Sequence, residues 1–278
     1  MTNYATSADG TRIAFDRLGQ GPPIVVVSGI FCTRRTTRAL AEHLAQRFSV
    51  INYDRRGRGE SDDTPPYTAE REIEDIGALI EEAGGRAAVY GHSSGAGLAL
   101  NAAARALPIT RLVLHEPPYG PDDDESKRDA RRLAEGVRLA LAKDRRADAI
   151  ALFFEASGMP SRAVEEMSND PDMQALAPTM SYDFEVMGDA TRGGTIPEDL
   201  VRAVNIPTLV IAGGASPEFF RATASRIAEI LPSGTQKGVG EPGPRCPRRS
   251  SCARGCGVPR RRVRRQGRRT RGKIVITV

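Results

Sequence analysis

Five short apolar runs, at residues 24–27, 50–53, 87–90, 112–114 and 209–211, recur along the chain, and stretches of helical composition at 38–47, 70–83 and 95–107 separate the first four. Runs this short, rich in Val and Ile and bounded by Pro and Gly, suit strands covered on both faces, as the strands of parallel sheets are. Residues 11–18 alternate apolar and polar before a Gly/Pro break, the pattern of a half-buried strand and its turn. Strand, helix and strand repeated with short loops predict an α/β fold: a mostly parallel central sheet with helices on both faces and right-handed crossovers. With 278 residues, 40% of them hydrophobic, there is enough material for one such domain carrying an insertion.

The strand signal stops between about 119 and 201, where helical segments such as 129–142 and 147–155 take over. The reading divides the chain into a core of 1–118 and 202–236, a helical lid of 119–201 above the sheet, and a tail of 237–278. Met159, Met167, Met173, Met180 and Met187 fall in the lid. Flexible thioethers suit an adaptable apolar pocket, and they suit ordinary packing between helices equally well.

A formal charge of +5 invites a nucleic-acid reading, but the excess is confined to one end. Residues 237–278 hold 14 Lys and Arg against the single acid Glu241, which leaves the first 236 residues with 26 basic and 34 acidic groups. The tail has no aromatic residue for base stacking and no recognition motif, so nucleic acid is not the expected partner. Cys246, Cys252 and Cys256 give three sulfurs with no histidine beside them, short of the usual four-ligand zinc site, and no metal is expected. The apolar runs are far shorter than the ~20 residues that span a bilayer. Without a visible secretory signal, and with Cys32 alone in the body, the expectation is a soluble cytoplasmic protein.

Chemistry concentrates at Val89–Tyr90–Gly91–His92–Ser93–Ser94–Gly95, a G-x-S-x-G motif directly after an apolar run and directly before an Ala/Leu-rich helix. A nucleophile on so sharp a turn needs strained backbone angles, and small residues two before and two after it let strand and helix pass closely. The helix N-terminus behind Ser93 would then aim N–H groups at developing negative charge.

Two further motifs accompany it in order: Ser28–Gly29–Ile30 after the third strand, and Tyr53–Asp54–Arg55–Arg56–Gly57–Arg58–Gly59–Glu60–Ser61 after the fourth. Together they resemble the α/β-hydrolase superfamily, in its lidded, esterase-like branch common in actinobacteria, over about residues 4–236. The resemblance implies an oxyanion hole made by the backbone N–H groups of Ile30 and Ser94. Ser28 stands where many members have His, which leaves the backbone donor in place. The 54–61 turn is structural in relatives and is expected to carry no catalytic role.

Members usually place the triad acid after the strand that here reads 207–212, but Gly213–Gly214–Ala215–Ser216–Pro217–Glu218 follows, without Asp. The alternative position in the fold, beyond the preceding strand, holds Glu116, which is taken as the acid; Glu218 is the weaker candidate, and a structural pairing of Glu116 with an arginine is the competing reading. The base is harder to place. A serine hydroxyl needs a neighbour to take its proton, and only His43, His92 and His115 exist. The resemblance puts the catalytic histidine near residue 245, where the sequence reads Gly243–Pro244–Arg245–Cys246–Pro247. Reading a compatible set of codons one base later yields His-Asp-Val-Pro. The expectation is therefore a frameshifted C-terminal segment that lacks the last strand, the histidine and the last helix.

The function so read is a cofactor-free serine hydrolase of carboxylesterase type for an apolar acyl substrate, impaired by the missing histidine. A non-catalytic small-molecule-binding or scaffold protein on the same fold, and a perhydrolase, are the alternatives; Ser93 rather than Asp at the turn disfavours haloalkane dehalogenation. Oligomeric state stays open.

Overall fold

The computed structural model describes residues 2–239. Eight strands form one sheet in the order β1-β2-β4-β3-β5-β6-β7-β8, namely β1 (Asn3–Thr6), β2 (Arg12–Leu18), β3 (Pro23–Val27), β4 (Ser49–Tyr53), β5 (Ala87–His92), β6 (Ile109–His115), β7 (Thr208–Gly213) and β8 (Gly234–Val239). β1 and β2 enter antiparallel, and every pairing from β3 and β4 onward is parallel. Parallel neighbours require crossovers. These are α1 (Arg38–Leu44), α2 (Ala69–Glu82), α3 (Ser94–Ala104) and α11 (Glu218–Ile230).

Period-two alternation explains why the central strands are apolar throughout. In β3, Val25 and Val27 join Ile76, Leu79 and Leu98 on the side of α2 and α3, while Ile24 and Val26 meet Ala41 and Leu44 of α1 on the other. Leu112 and Leu114 of β6, Val210 of β7 and Ile227 of α11 extend the first layer. Parallel pairing in the order β3-β5-β6-β7 puts the carboxyl ends of these strands side by side, and the chain leaving them carries Ile30, Ser93, Ser94 and Glu116.

Between β6 and β7 the chain runs through α4 (Asp124–Ala142), α5 (Arg146–Ala156), α6 (Ser161–Ser168), α7 (Pro171–Leu176), a 3-10 turn at Ala177–Thr179, α8 (Met180–Met187), α9 (Asp189–Arg192) and α10 (Glu198–Ala203). These helices have their own apolar cluster, in which Val137, Ile150, Phe154 and Met180 are buried with Phe31 from the loop after β3. Met159, Met167 and Met173 pack against that cluster, whereas Met187 belongs to the main core under α3. No helix among the described residues is long and apolar enough to cross a membrane.

One expectation is corrected. The last strand is present: β8 pairs with β7 in parallel from Thr208–Gly234 to Gly213–Val239, so the sheet continues three residues past the start of the expected tail. Thr235, Gln236 and Lys237 break the apolar pattern, and the strand was missed because its pairing comes from the ladder with β7 and not from its own side chains. The expected loss of a last helix and the position near residue 245 lie outside the described residues.

Candidate active site

β5 ends at His92 and α3 begins at Ser94, so the whole strand-to-helix turn is made at Ser93, with φ 56° and ψ −130°. A non-glycine residue in such a region costs about 1–3 kcal/mol and persists only where its surroundings enforce it. Here the Ser93 amide donates to the His115 carbonyl at 2.9 Å, tying the turn to β6. Gly95 seats α3 against the end of β3, where a Cβ would lie 2.5 Å from the carbonyl oxygens of Val27 and Ser28. The serine is half-buried and meets the loop after β3: a Cβ on Gly29 would fall 3.3 Å from Ser93 Oγ.

That loop is a tight turn in which the Cys32 amide donates to the Gly29 carbonyl at 3.3 Å, and Phe31 takes a positive φ of 55°. Ile30 occupies its second position, and its amide is not used by the turn. Ser94 is the first residue of α3, so its amide is among the N–H groups that have no acceptor inside the helix. The structure thus places Ser94 directly after Ser93, and Ile30 in the turn whose preceding residue, Gly29, abuts Ser93.

Glu116 leaves the end of β6 with φ 49°, and its own amide donates to the Ile211 carbonyl at 2.9 Å. Its Oε1 accepts from the Gly213 amide at 2.9 Å and from the Ser216 hydroxyl. Among the described residues its partners are this amide and this hydroxyl, with no arginine paired to it. Burial works to raise the Glu116 carboxyl, but the Ser216 and Gly213 hydrogen bonds, with His115 and His92 nearby, bring it below the usual glutamate value. Ser216, on the loop after β7, thus reaches across to the carboxylate after β6. Glu218 is exposed at the start of α11.

None of the three histidine side chains is hydrogen-bonded to Ser93 Oγ. His43 lies exposed on α1. His92 turns its ring toward His115, with centroids 5.1 Å apart, and His115 Nδ1 is hydrogen-bonded to the Tyr90 hydroxyl at 2.5 Å. Burial, with the neighbouring His92, pushes His115 down to about 4; burial also lowers His92. Both rings are therefore neutral at pH 7. Among the described residues no side chain hydrogen-bonds to Ser93 Oγ, and no group of three His, Cys, Asp or Glu is placed to hold a metal ion.

Beneath this edge Asp54 and the three arginines of the arginine-rich turn are buried. Arg55 forks onto Glu72 at 2.7 and 2.6 Å, Arg56 forks onto Asp75 at 2.8 and 2.6 Å, and Arg34 pairs with Asp54 at 2.5 Å. Asp183, in α8, meets Arg55 at 2.5 Å, Arg58 and the Ser94 hydroxyl at 2.6 Å. Burial alone would raise Asp183, and Arg55 and Arg58 hold it below the usual aspartate value. Sequence reading missed Asp183, which carries no motif and lies 89 residues from Ser94; it also missed Ser216, although the absence of Asp after β7 marked that loop.

The model of the alpha/beta hydrolase family matches residues 24–244. The chain is similar to the crystal structure of an alpha/beta hydrolase from Sphaerobacter thermophilus, with 46% identity, a TM-score of 0.75, and 86% of this chain and 93% of that one covered. It is similar to a thermophilic esterase from Thermogutta terrifontis at 26% identity and a TM-score of 0.63, covering 86% and 89% of the two chains. Among curated proteins it resembles 2-(acetamidomethylene)succinate hydrolase of Mesorhizobium japonicum, 28% identical over 222 residues, which are 77% of this chain and 78% of that protein. With the strained serine turn, the parallel sheet and these matches in agreement, the chain belongs to the alpha/beta hydrolase family.

Proposed function

We propose that the protein is a serine hydrolase for an ester or related acyl substrate, with Ser93 as nucleophile. The observation that carries this reading is the backbone of Ser93, φ 56° and ψ −130°, held between β5 and α3. Ser93 Oγ attacks the acyl carbon and gives up its proton, while the carbonyl oxygen takes the negative charge opposite the Ile30 and Ser94 amides. Preorganised donors of this kind are worth roughly 3–4 kcal/mol of barrier each. The bond from the acyl carbon to the leaving-group oxygen then breaks as that oxygen takes up the proton that Ser93 released; water next adds to the acyl carbon, and the bond to Ser93 Oγ breaks as Oγ takes a proton from that water. Glu116 is the acid that would orient an imidazole, since its carboxylate is ionised at neutral pH and lies on the neighbouring loop.

The missing part is the proton acceptor, because His43, His92 and His115 all lie elsewhere. The translated chain is accordingly a weak hydrolase, and a frameshift at about residue 236, within β8, is our account of the loss. Reading the coding DNA across residues 236–250 tests that account: a single frame without His-Asp-Val in the neighbouring register overturns it. The helices between β6 and β7 act as the lid, supported by the contact of Ile30 and Phe31 with their apolar cluster. The esterase among the structural relatives supports the ester reading, and the Met- and Phe-rich cluster supports an apolar acyl group.

A fluorophosphonate probe supplied with imidazole as an exogenous base tests the assignment. Modification of Ser93, located by peptide mass spectrometry and absent in Ser93→Ala, is the expected result. A folded wild-type protein that binds small acyl ligands but is never modified would instead favour a non-catalytic binder, a reading favoured by the engagement of His115 with Tyr90.

A further inference from the structure

One carboxylate from the helical insertion reaches both sides of Ser93, directly at Ser94 and through Arg58 at Gly29. Asp183 Oδ1 accepts from the Ser94 hydroxyl at 2.6 Å, on the residue whose amide opens α3. Its Oδ2 accepts from Arg58, and Arg58 Nη1 donates in turn to the Gly29 carbonyl at 2.8 Å. The remaining arginine contact, Nε to Thr179 Oγ1 at 3.0 Å, also comes from the insertion.

The Gly29 contact fixes more than a carbonyl. A trans peptide is planar, with its C=O and N–H on opposite sides, so whatever holds the Gly29 oxygen also sets the direction of the Ile30 N–H. Arg58 and the Cys32 amide both hold that oxygen, and the Ile30 amide faces away from both. Arg55 supports the preceding peptide by donating to the Ser28 carbonyl at 3.3 Å. The charge beneath the site balances, with Arg55 and Arg58 set against Glu72 and Asp183. Asp183 can therefore sit close to a developing oxyanion without presenting it a net negative charge.

We propose that Asp183 and Arg58 are positioning residues that assemble the oxyanion hole: α8, by docking Asp183, aligns the Ser94 amide through its hydroxyl and the Ile30 amide through Arg58. The inference rests on the hydrolase reading and adds to it a reason for the insertion to be in place before Ser93 can react. The arginine turn thereby acquires a role beyond the structural one expected of it.

Phosphonylation of Ser93 in the full chain, with imidazole supplied and the probe concentration varied, separates the maximal rate from the half-saturating concentration. Two variants weaken the linkage while keeping both backbone amides: Ser94→Ala removes one hydroxyl, and Arg58→Lys removes the fork. Each is expected to lower the maximal rate about 10-fold, a fraction of the ~100–1000-fold that a whole donor supplies, with half-saturation little changed. Arg56→Lys is the control, since Arg56 lies on the same turn, is equally buried and pairs with Asp75 and Asp9 instead; it should lower the melting temperature and leave the maximal rate alone. Unchanged rates in folded Ser94→Ala and Arg58→Lys overturn the positioning role and leave the hydrolase reading standing, as does an equal fall in Arg56→Lys. Should Arg58→Lys not fold, Ser94→Ala decides alone. Absence of modification in folded wild type overturns the hydrolase reading, and this inference with it.

Discussion

The arginine-rich turn at residues 54–61 and the serine turn at residue 93 lie at the same edge of the sheet and are both polar, yet they are built on opposite principles. Every guanidinium of the first is buried and answered: Arg55 by Glu72 and Asp183, Arg56 by Asp75 and Asp9, Arg58 by Asp183, Thr179 and Gly29. The second has a strained backbone and, among the described residues, a hydroxyl that no side chain engages. Saturated pairing makes a rigid base with no capacity left for a substrate. Strain around a hydroxyl that no described side chain engages makes a turn that depends on that base to hold it.

The largest expected effect falls on the serine turn. Gly95→Ala would set a methyl group against the carbonyls of Val27 and Ser28, backbone that cannot give, and should exceed ~4 kcal/mol in urea unfolding or prevent cooperative folding altogether. A mild effect there would mean that α3 can shift, and that the strain at Ser93 is not enforced by packing.

Next in size, Asp183→Ala leaves Arg55 and Arg58 buried with one counter-charge fewer, and should cost roughly 3–5 kcal/mol by the same measurement. A loss as small as that of an exposed pair would erase the contrast between the two turns.

Acid should act through the strand ends behind the serine turn. His115 has a folded value near 4 against 6.5 for the free side chain, and Glu116 is held below 4.5. Both folded values are depressed, so their contribution is present above the unfolded values and is lost as pH falls, from 6.5 toward 4 for His115 and below 4.5 for Glu116. His115→Gln should flatten the fall in stability between pH 6.5 and 4. Comparing it with wild type cancels the opposite contributions of Asp75 and Asp189, which burial raises to about 6 and 7. Equal pH profiles would place His115 in water.

The smallest expected change is Ser216→Ala, which removes one hydrogen bond to the Glu116 carboxylate at about 1–2 kcal/mol. It should also move the acid limb of the stability profile upward in pH. No shift of that limb would mean that the Gly213 amide alone holds the acid.

Much of the core was legible because its signals are local. The apolar runs become β3 to β7 within a few residues, since a strand buried on both faces must be apolar along its length. The serine turn was legible because its strain demands small neighbours at fixed offsets, and Glu116 because it ends a recognisable strand. β8 was not, for Gly234–Val239 reads Gly-Thr-Gln-Lys-Gly-Val and owes its place to the ladder with β7.

The strands β3 to β7, the helices between the first four of them and the site of the serine turn follow from the sequence alone, because each is written in residue type at short range. Where Asp183 and Ser216 act could come only from the tertiary structure. Their partners lie 89 to 128 residues away for the one and 100 for the other, and such contacts exist only once packing has brought separate elements to the same edge of the sheet.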